Sequence, residues 1–183
     1  GAADLTLASN GGTLTTAGTL AGNNVSLTGS GGISLGHDVT ATGTLGLTST
    51  DTAIDQTAGT ISATGATTAS AGTGGITLDS ATNDFSSITA TGGNINVVDA
   101  NALTATASAS GPLTLDAGGV LSTGGALSGT NVSLTGDGGI SLGHDVTATG
   151  TLSLTSTDNA IAQTAGTISA TSATTVSAGT GDM

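Results

Sequence analysis

The chain has 183 residues, among them 32 Gly, twelve Asp, two His, one Pro and one aromatic, Phe85, and it has no Lys, Arg, Glu or Cys. Its formal charge of −12 excludes nucleic acid as a partner, because phosphate binding depends on basic side chains. An apolar content of 36% is too high for ordinary disorder, yet the large side chains that fill a globular core are almost absent, which argues against a compact enzyme domain.

In chain order, alternating triplets open at Leu5-Thr6-Leu7, Val25-Ser26-Leu27, Leu45-Gly46-Leu47, weakly at Ala66, then at Asn96-Val97-Val98, Leu113-Thr114-Leu115, Val132-Ser133-Leu134 and Leu152-Ser153-Leu154. The usual interval is about twenty residues. Within Val25 to Thr44 the apolar residues are Val25 and Leu27, Ile33 and Leu35, then Val39 and Ala41, separated by corners such as TGSGG and GHD. This period of two predicts three short strands per unit and disfavours helix throughout. Three two-residue rows cannot form a core alone, so successive units must stack. The expected fold is all-β: a single parallel β-helix over residues 1–183, with about twenty residues per coil and about nine coils. At the strand spacing of about 4.8 Å that makes a rod roughly 43 Å long. Leu7, Leu27 and Leu47 are expected to form one interior ladder, and Ile33, Ile54 and Ile76 another.

A longer repeat overlies the short one. Residues 23–74 recur as 130–181, displaced by 107, and seven of the 52 positions differ. The intervening starts divide those 107 residues into five segments, of which 66–93 is the longest. That length predicts an enlarged turn within 66–93, near Asn83. Asp79, Asn83, Asp84 and Phe85 are therefore the candidate binding-loop residues.

Other residues invite chemical readings. His37 and His144 each stand in SLGHDVTATGT, but five coils apart they cannot share an ion or a substrate, and both read as solvent-facing corner residues. Asp99 and Asp116 follow VV and LTL; stacked on neighbouring coils they would be weak Ca²⁺ candidates, whereas the calcium-roll nonapeptide is absent. Corner Asp and Asn are otherwise expected to bond their own backbone. Thr-x-Thr at Thr13, Thr40, Thr48, Thr89, Thr104, Thr147 and Thr155 is not spaced by whole coils, and is expected not to line one face. No catalytic residue, bound cofactor or metal is expected. Neither an export signal nor a membrane span is read in the chain, which opens in strand-like ADLTLAS and stops in TGDM with no polar capping segment at either end, and is expected to be a fragment of a longer solenoid.

GGITLDSATNDF at 74–85, VVDANALT at 97–104 and the abundant LTxT, TAGTI and SATG phrases resemble the repeat region of filamentous-haemagglutinin-like adhesins. The resemblance covers essentially the whole chain. It implies a right-handed β-helix at the surface of a Gram-negative bacterium or outside it, exported in full length through an outer-membrane secretion partner, with a role in adhesion, biofilm or host contact. On that basis the segment is a non-catalytic stalk. The alternatives are a direct binding module for a host glycan or matrix protein, through a β-face or the 79–88 turn, and end-to-end self-association through exposed strand edges.

Overall fold

A computed structural model describes residues 1–183, and they form a parallel β-solenoid without helices. The first coil is β1 (Leu5–Ser9), β2 (Leu14–Thr15) and β3 (Leu20–Gly22); the second is β4 (Val25–Gly29), β5 (Ile33–Leu35) and β6 (Val39–Ala41). The third begins with β7 (Leu45–Ser49) and β8 (Ile54–Gln56) and enters β9 (Ile61–Ser70), a long strand that bends into the fourth coil. Then come β10 (Ile76–Leu78), β11 (Asp84–Gly92), β12 (Ile95–Asp99), β13 (Leu103–Ala109), β14 (Leu113–Ala117) and β15 (Leu121–Gly129). The last coils are β16 (Val132–Gly136), β17 (Ile140–Leu142), β18 (Val146–Ala148), β19 (Leu152–Thr155), β20 (Ile161–Gln163), β21 (Ile168–Ala170) and β22 (Thr174–Ser177).

Hydrogen-bond register sorts these strands into three faces. Face 1 runs β1, β4, β7, the second halves of β9, β11, β13 and β15, then β18 and β21. Face 2 is the nine-stranded sheet β2-β5-β8-β10-β12-β14-β16-β19-β22. Face 3 runs β3, β6, the first halves of β9, β11, β13 and β15, then β17 and β20. Faces 1 and 3 belong to one hydrogen-bonded sheet because β9 pairs with β6 through Ile61 to Ala63 and with β7 through Thr67 to Ser70.

Apolar side chains stack in register, as period-two alternation requires. Leu7, Leu27 and Leu47 form one ladder, which continues through Ala69, Ala90, Ala107, Leu127 and Val146 to Ile168. Ile33, Ile54 and Ile76 form another, continued by Ile95, Leu113, Val132 and Leu152. The 39 buried apolar residues make one cluster, so the bore is a continuous core. Phe85 is fully buried and stands opposite Ala63, where the small neighbour leaves room for the ring.

The coil count of the long repeat differs from the sequence expectation. Thr67 pairs with Ile88, 21 residues on, and Ile76 with Ile95, 19 on, so 66–93 holds no enlarged turn. It holds one ordinary coil and one further strand. The triplet starts up to Ala66 lie on face 1, whereas those from Asn96 onward lie on face 2; aligning them counted a face as part of a coil. Consequently 107 residues make five coils and one face. VSLTG at 25–29 lies on face 1, and the same five residues at 132–136 lie on face 2. The two copies are one third of a turn out of phase, and the alternating pattern fills the bore equally well on either face.

Candidate functional site

The corners carry most of the polar chemistry, and they bond between coils. Asn24 Oδ1 accepts from Thr44 N at 3.0 Å and from Thr44 Oγ1 at 2.9 Å, and Asn131 repeats this with Thr151 at 3.0 and 2.9 Å. Thr60 N, Thr73 N and Thr167 N donate to Asp38, Asp51 and Asp145 at 2.8, 2.9 and 2.8 Å. These side chains therefore cap the next coil's backbone, which corrects the expectation that they bond their own. Such donors hold carboxylates below their ordinary range: Asp145 through Thr167 N first, then its hydroxyl, and Asp4 through Asn24 N, then the Asn23 side chain. Gly59 makes room for one such corner, at φ +79°, where a Cβ would stand 2.6 Å from His37 C.

His37 and His144 are exposed at corners, with Nδ1 donating to Thr16 O at 3.1 Å and Thr123 O at 3.0 Å. The two occupy different corners, His37 between faces 2 and 3 and His144 between faces 3 and 1. Asp99 and Asp116 do not form the pair that a Ca²⁺ site required. Asp116 pairs with Val98 and Asp99 with Ala117, so a one-residue offset sends the two carboxylates to opposite sides of the sheet. Asp99 is buried, 2% exposed, and accepts from Phe85 N at 2.7 Å and Asn101 N at 3.2 Å. Burial pushes its carboxyl up, against the pull of those two donors. Asp116 is pushed up as well, by burial and by the Asp137 carboxylate.

The four binding-loop candidates are divided by the same alternation. Asp79 and Asp84 face solvent, and Asp84 Oδ1 accepts from Asn101 Nδ2 at 3.1 Å. Asn83 and Phe85 lie wholly inside the bore. Asn83 and Gln56 form a reciprocal amide pair: Gln56 Nε2 donates to Asn83 Oδ1 at 2.8 Å and Asn83 Nδ2 donates to Gln56 Oε1 at 2.8 Å. Asn83 Oδ1 also accepts from Ile61 N at 2.9 Å. Asn83 is thus an internal fastener between coils, and a loop that uses it for recognition would first have to open the core.

Face 1 holds what the sequence reading passed over. Its outward positions stack as Thr28, Thr48, Ser70, Thr91, Ser108, Ser128, Thr147 and Ser169, a hydroxyl column on eight successive coils. A second column beside it runs Thr6, Ser26, Gly46, Thr68, Thr89 and Thr106. Thr48, Thr89 and Thr147, which belong to the Thr-x-Thr set, therefore do share a face. Coil length varies from 17 residues, Ile88 to Ala105, to 22, Leu45 to Thr67, so regular stacking leaves no regular spacing in sequence. A shallow cleft interrupts this face where Ser110, Ser128, Thr130, Thr147 and Thr149 surround Gly129. The face offers hydroxyl donors and acceptors, and no His or Asp lies on it.

No three His or Asp side chains converge on a point that could hold a metal ion. No helix is long and apolar enough to cross a membrane. Neither the curated proteins nor the solved structures include a match to this chain. A family model described as repeats of unknown function (DUF5649) matches residues 22–91 and 129–183, the two stretches that contain the copies of the long repeat. Those stretches make up more than half of the chain, which belongs to this family of repeats.

Proposed function

We propose that the chain is a non-catalytic structural segment, a stiff acidic stalk within a surface adhesin of the filamentous-haemagglutinin-like kind. In this reading the full-length protein leaves a Gram-negative cell through an outer-membrane partner, and this segment holds a binding region away from the surface for adhesion or biofilm formation. It works without cofactor or metal. The observation that carries the reading is the continuous core: apolar ladders run through nine coils, so adding coils adds length without altering the packing of those present. The absence of Lys and Arg also leaves trypsin-like proteases no site, which suits exposure outside a cell. The 79–88 turn is a poor binding loop, because Asn83 and Phe85 are committed to the bore.

Removing residues 27–126 tests the stalk. Ser26 then joins Leu127, which occupies the same ladder as Leu27, so five whole coils leave without a change of face. Carried in the full-length protein on cells, this deletion is expected to reduce adhesion, and five coils of unrelated solenoid sequence are expected to restore it. Restoration by the native coils alone would show that the segment binds rather than spaces.

A further inference from the structure

The twelve carboxylates are unevenly distributed. Asp55 and Asp116 point outward from face 2, Asp84 from face 3, and Asp38, Asp51, Asp137, Asp145 and Asp158 stand at corners. The face-1 stretches 5–9, 25–29, 45–49, 67–70, 87–92, 104–109, 126–129, 146–148 and 168–170 contain no charged residue. In a chain of charge −12 this is the face with no carboxylate of its own, those at its rim being Asp51 at the corner with face 2 and Asp4 and Asp145 at the corner with face 3, so another copy approaches it against the least repulsion.

We propose that face 1 is a self-association surface, on which two copies of the chain pair side by side through their Thr and Ser columns. Commensurability selects a second copy over other occupants. Columns repeating once per coil, about 4.8 Å, meet columns of identical repeat, so hydroxyl contacts made at one coil recur along the whole face. Side chains no larger than Thr allow two such parallel sheets to interdigitate closely, in the manner of paired β-sheets with small side chains. The area is adequate: nine coils by about five residues give roughly 43 × 16 Å, or about 700 Å² per copy and about 1,400 Å² in all. A two-fold arrangement closes at the dimer. It is thereby distinct from end-on stacking of strand edges, which would add copies without limit. The stalk reading does not depend on it.

Sedimentation velocity of the full chain over a wide concentration range at neutral pH tests the proposal. A monomer–dimer equilibrium is expected, and it shifts toward dimer as added NaCl screens the −12 charges. T89D with T91D, at the centre of face 1, is expected to abolish the dimer with an unchanged circular-dichroism spectrum. T77D with S133D places the same charge on face 2 and is expected to leave the dimer in place, apart from a weakening that salt reverses. A chain that stays monomeric at the highest concentration and salt overturns the proposal. So does equal loss of dimer from both pairs in high salt, or open-ended growth untouched by T89D/T91D. A monomer that binds insoluble polysaccharide and loses that binding with T89D/T91D would likewise overturn it, and assign the face to a glycan.

Discussion

Replacing Gln56 or Asn83 with Ala should be among the most damaging polar substitutions in the chain, while the same change at Gln163 should be almost silent. Gln56 and Gln163 occupy equivalent places in the long repeat, and each donates Nε2 to the carbonyl of the third residue on, Gly59 at 2.9 Å and Gly166 at 2.8 Å. Only Gln56 meets an Asn on the next coil; Gln163 is exposed. Asn83→Ala removes the acceptor of the buried Ile61 N, the partner of both Gln56 amide atoms and a donor to Leu78 O. With one buried donor orphaned at about 1–3 kcal/mol and three further bonds lost at about 1 kcal/mol each, the cost is about 4–6 kcal/mol. Gln56→Ala loses the same pair but leaves Asn83 Oδ1 bonded to Ile61 N, for about 2–3 kcal/mol. Gln163→Ala should stay within about 0.5 kcal/mol, as exposed sites usually do. Urea unfolding of the three variants and the Gln56/Asn83 double variant provides the measurement, and the double variant should cost clearly less than the sum of its singles. Equal destabilisation by Gln56→Ala and Gln163→Ala would refute the argument that stacking, rather than the local turn, gives Gln56 its role.

Thr67 is 1% exposed, stacked between Leu45 and Ile88, with its hydroxyl lacking any partner. Thr67→Val should stabilise by about 1 kcal/mol in the same unfolding assay, whereas Thr174→Val, at the exposed equivalent position, should change little. Gly59→Ala should lower stability by more than about 1 kcal/mol, from both positive φ and the His37 backbone; Gly46→Ala, whose nearest neighbours lie at 4.0 Å, should not destabilise. Stability should also peak in mild acid. Asp99 and Asp116 have raised carboxyl pKa values in the fold, so their penalty is present at neutral pH and is relieved as pH falls through those values toward the ordinary 3.8. Asp4 and Asp145 have lowered ones, so their contribution is complete above 3.8 and is lost as pH falls further, through their folded values. Melting temperature should therefore rise from pH 7 toward about 4 and drop below that; a steady fall on acidification from neutrality would contradict the assignment of Asp99 and Asp116.

The coil architecture was legible because alternation such as Val25-x-Leu27 and Ile33-x-Leu35 leaves one way to bury a two-residue row, by stacking it. What the sequence could not convey was phase. The bore accepts Val132-x-Leu134 on face 2 as readily as Val25-x-Leu27 on face 1, so no residue inside a copy marks the face it will occupy. Running the unit that starts at Ala66 on to Gly93, when Thr67 already pairs with Ile88, turned an added strand into an apparent loop and made Asn83 and Phe85 loop candidates. Asp99 and Asp116 looked equivalent for a different reason: the triplets at Asn96 and Leu113 align in sequence, whereas Leu113 pairs with Ile95, one residue earlier. The hydroxyl columns were hidden for a related reason, since coils of unequal length scatter the aligned Thr and Ser along the chain. The usable signal for Phe85 was its own side chain, because a lone aromatic is more cheaply buried than displayed.

The phase can be measured directly, because the chain has no Cys of its own. Thr68 and Thr89 are paired outward neighbours on face 1, and adjacent strands at about 4.8 Å lie within disulfide reach. In dilute oxidising buffer the Thr68→Cys/Thr89→Cys variant should form an intramolecular disulfide readily, and Thr68→Cys/Asn96→Cys, whose positions lie on different faces, should not. Cross-linking of 68 to 96 but not to 89 would restore an enlarged turn between them and contradict the five-coils-and-one-face solenoid on which this account rests.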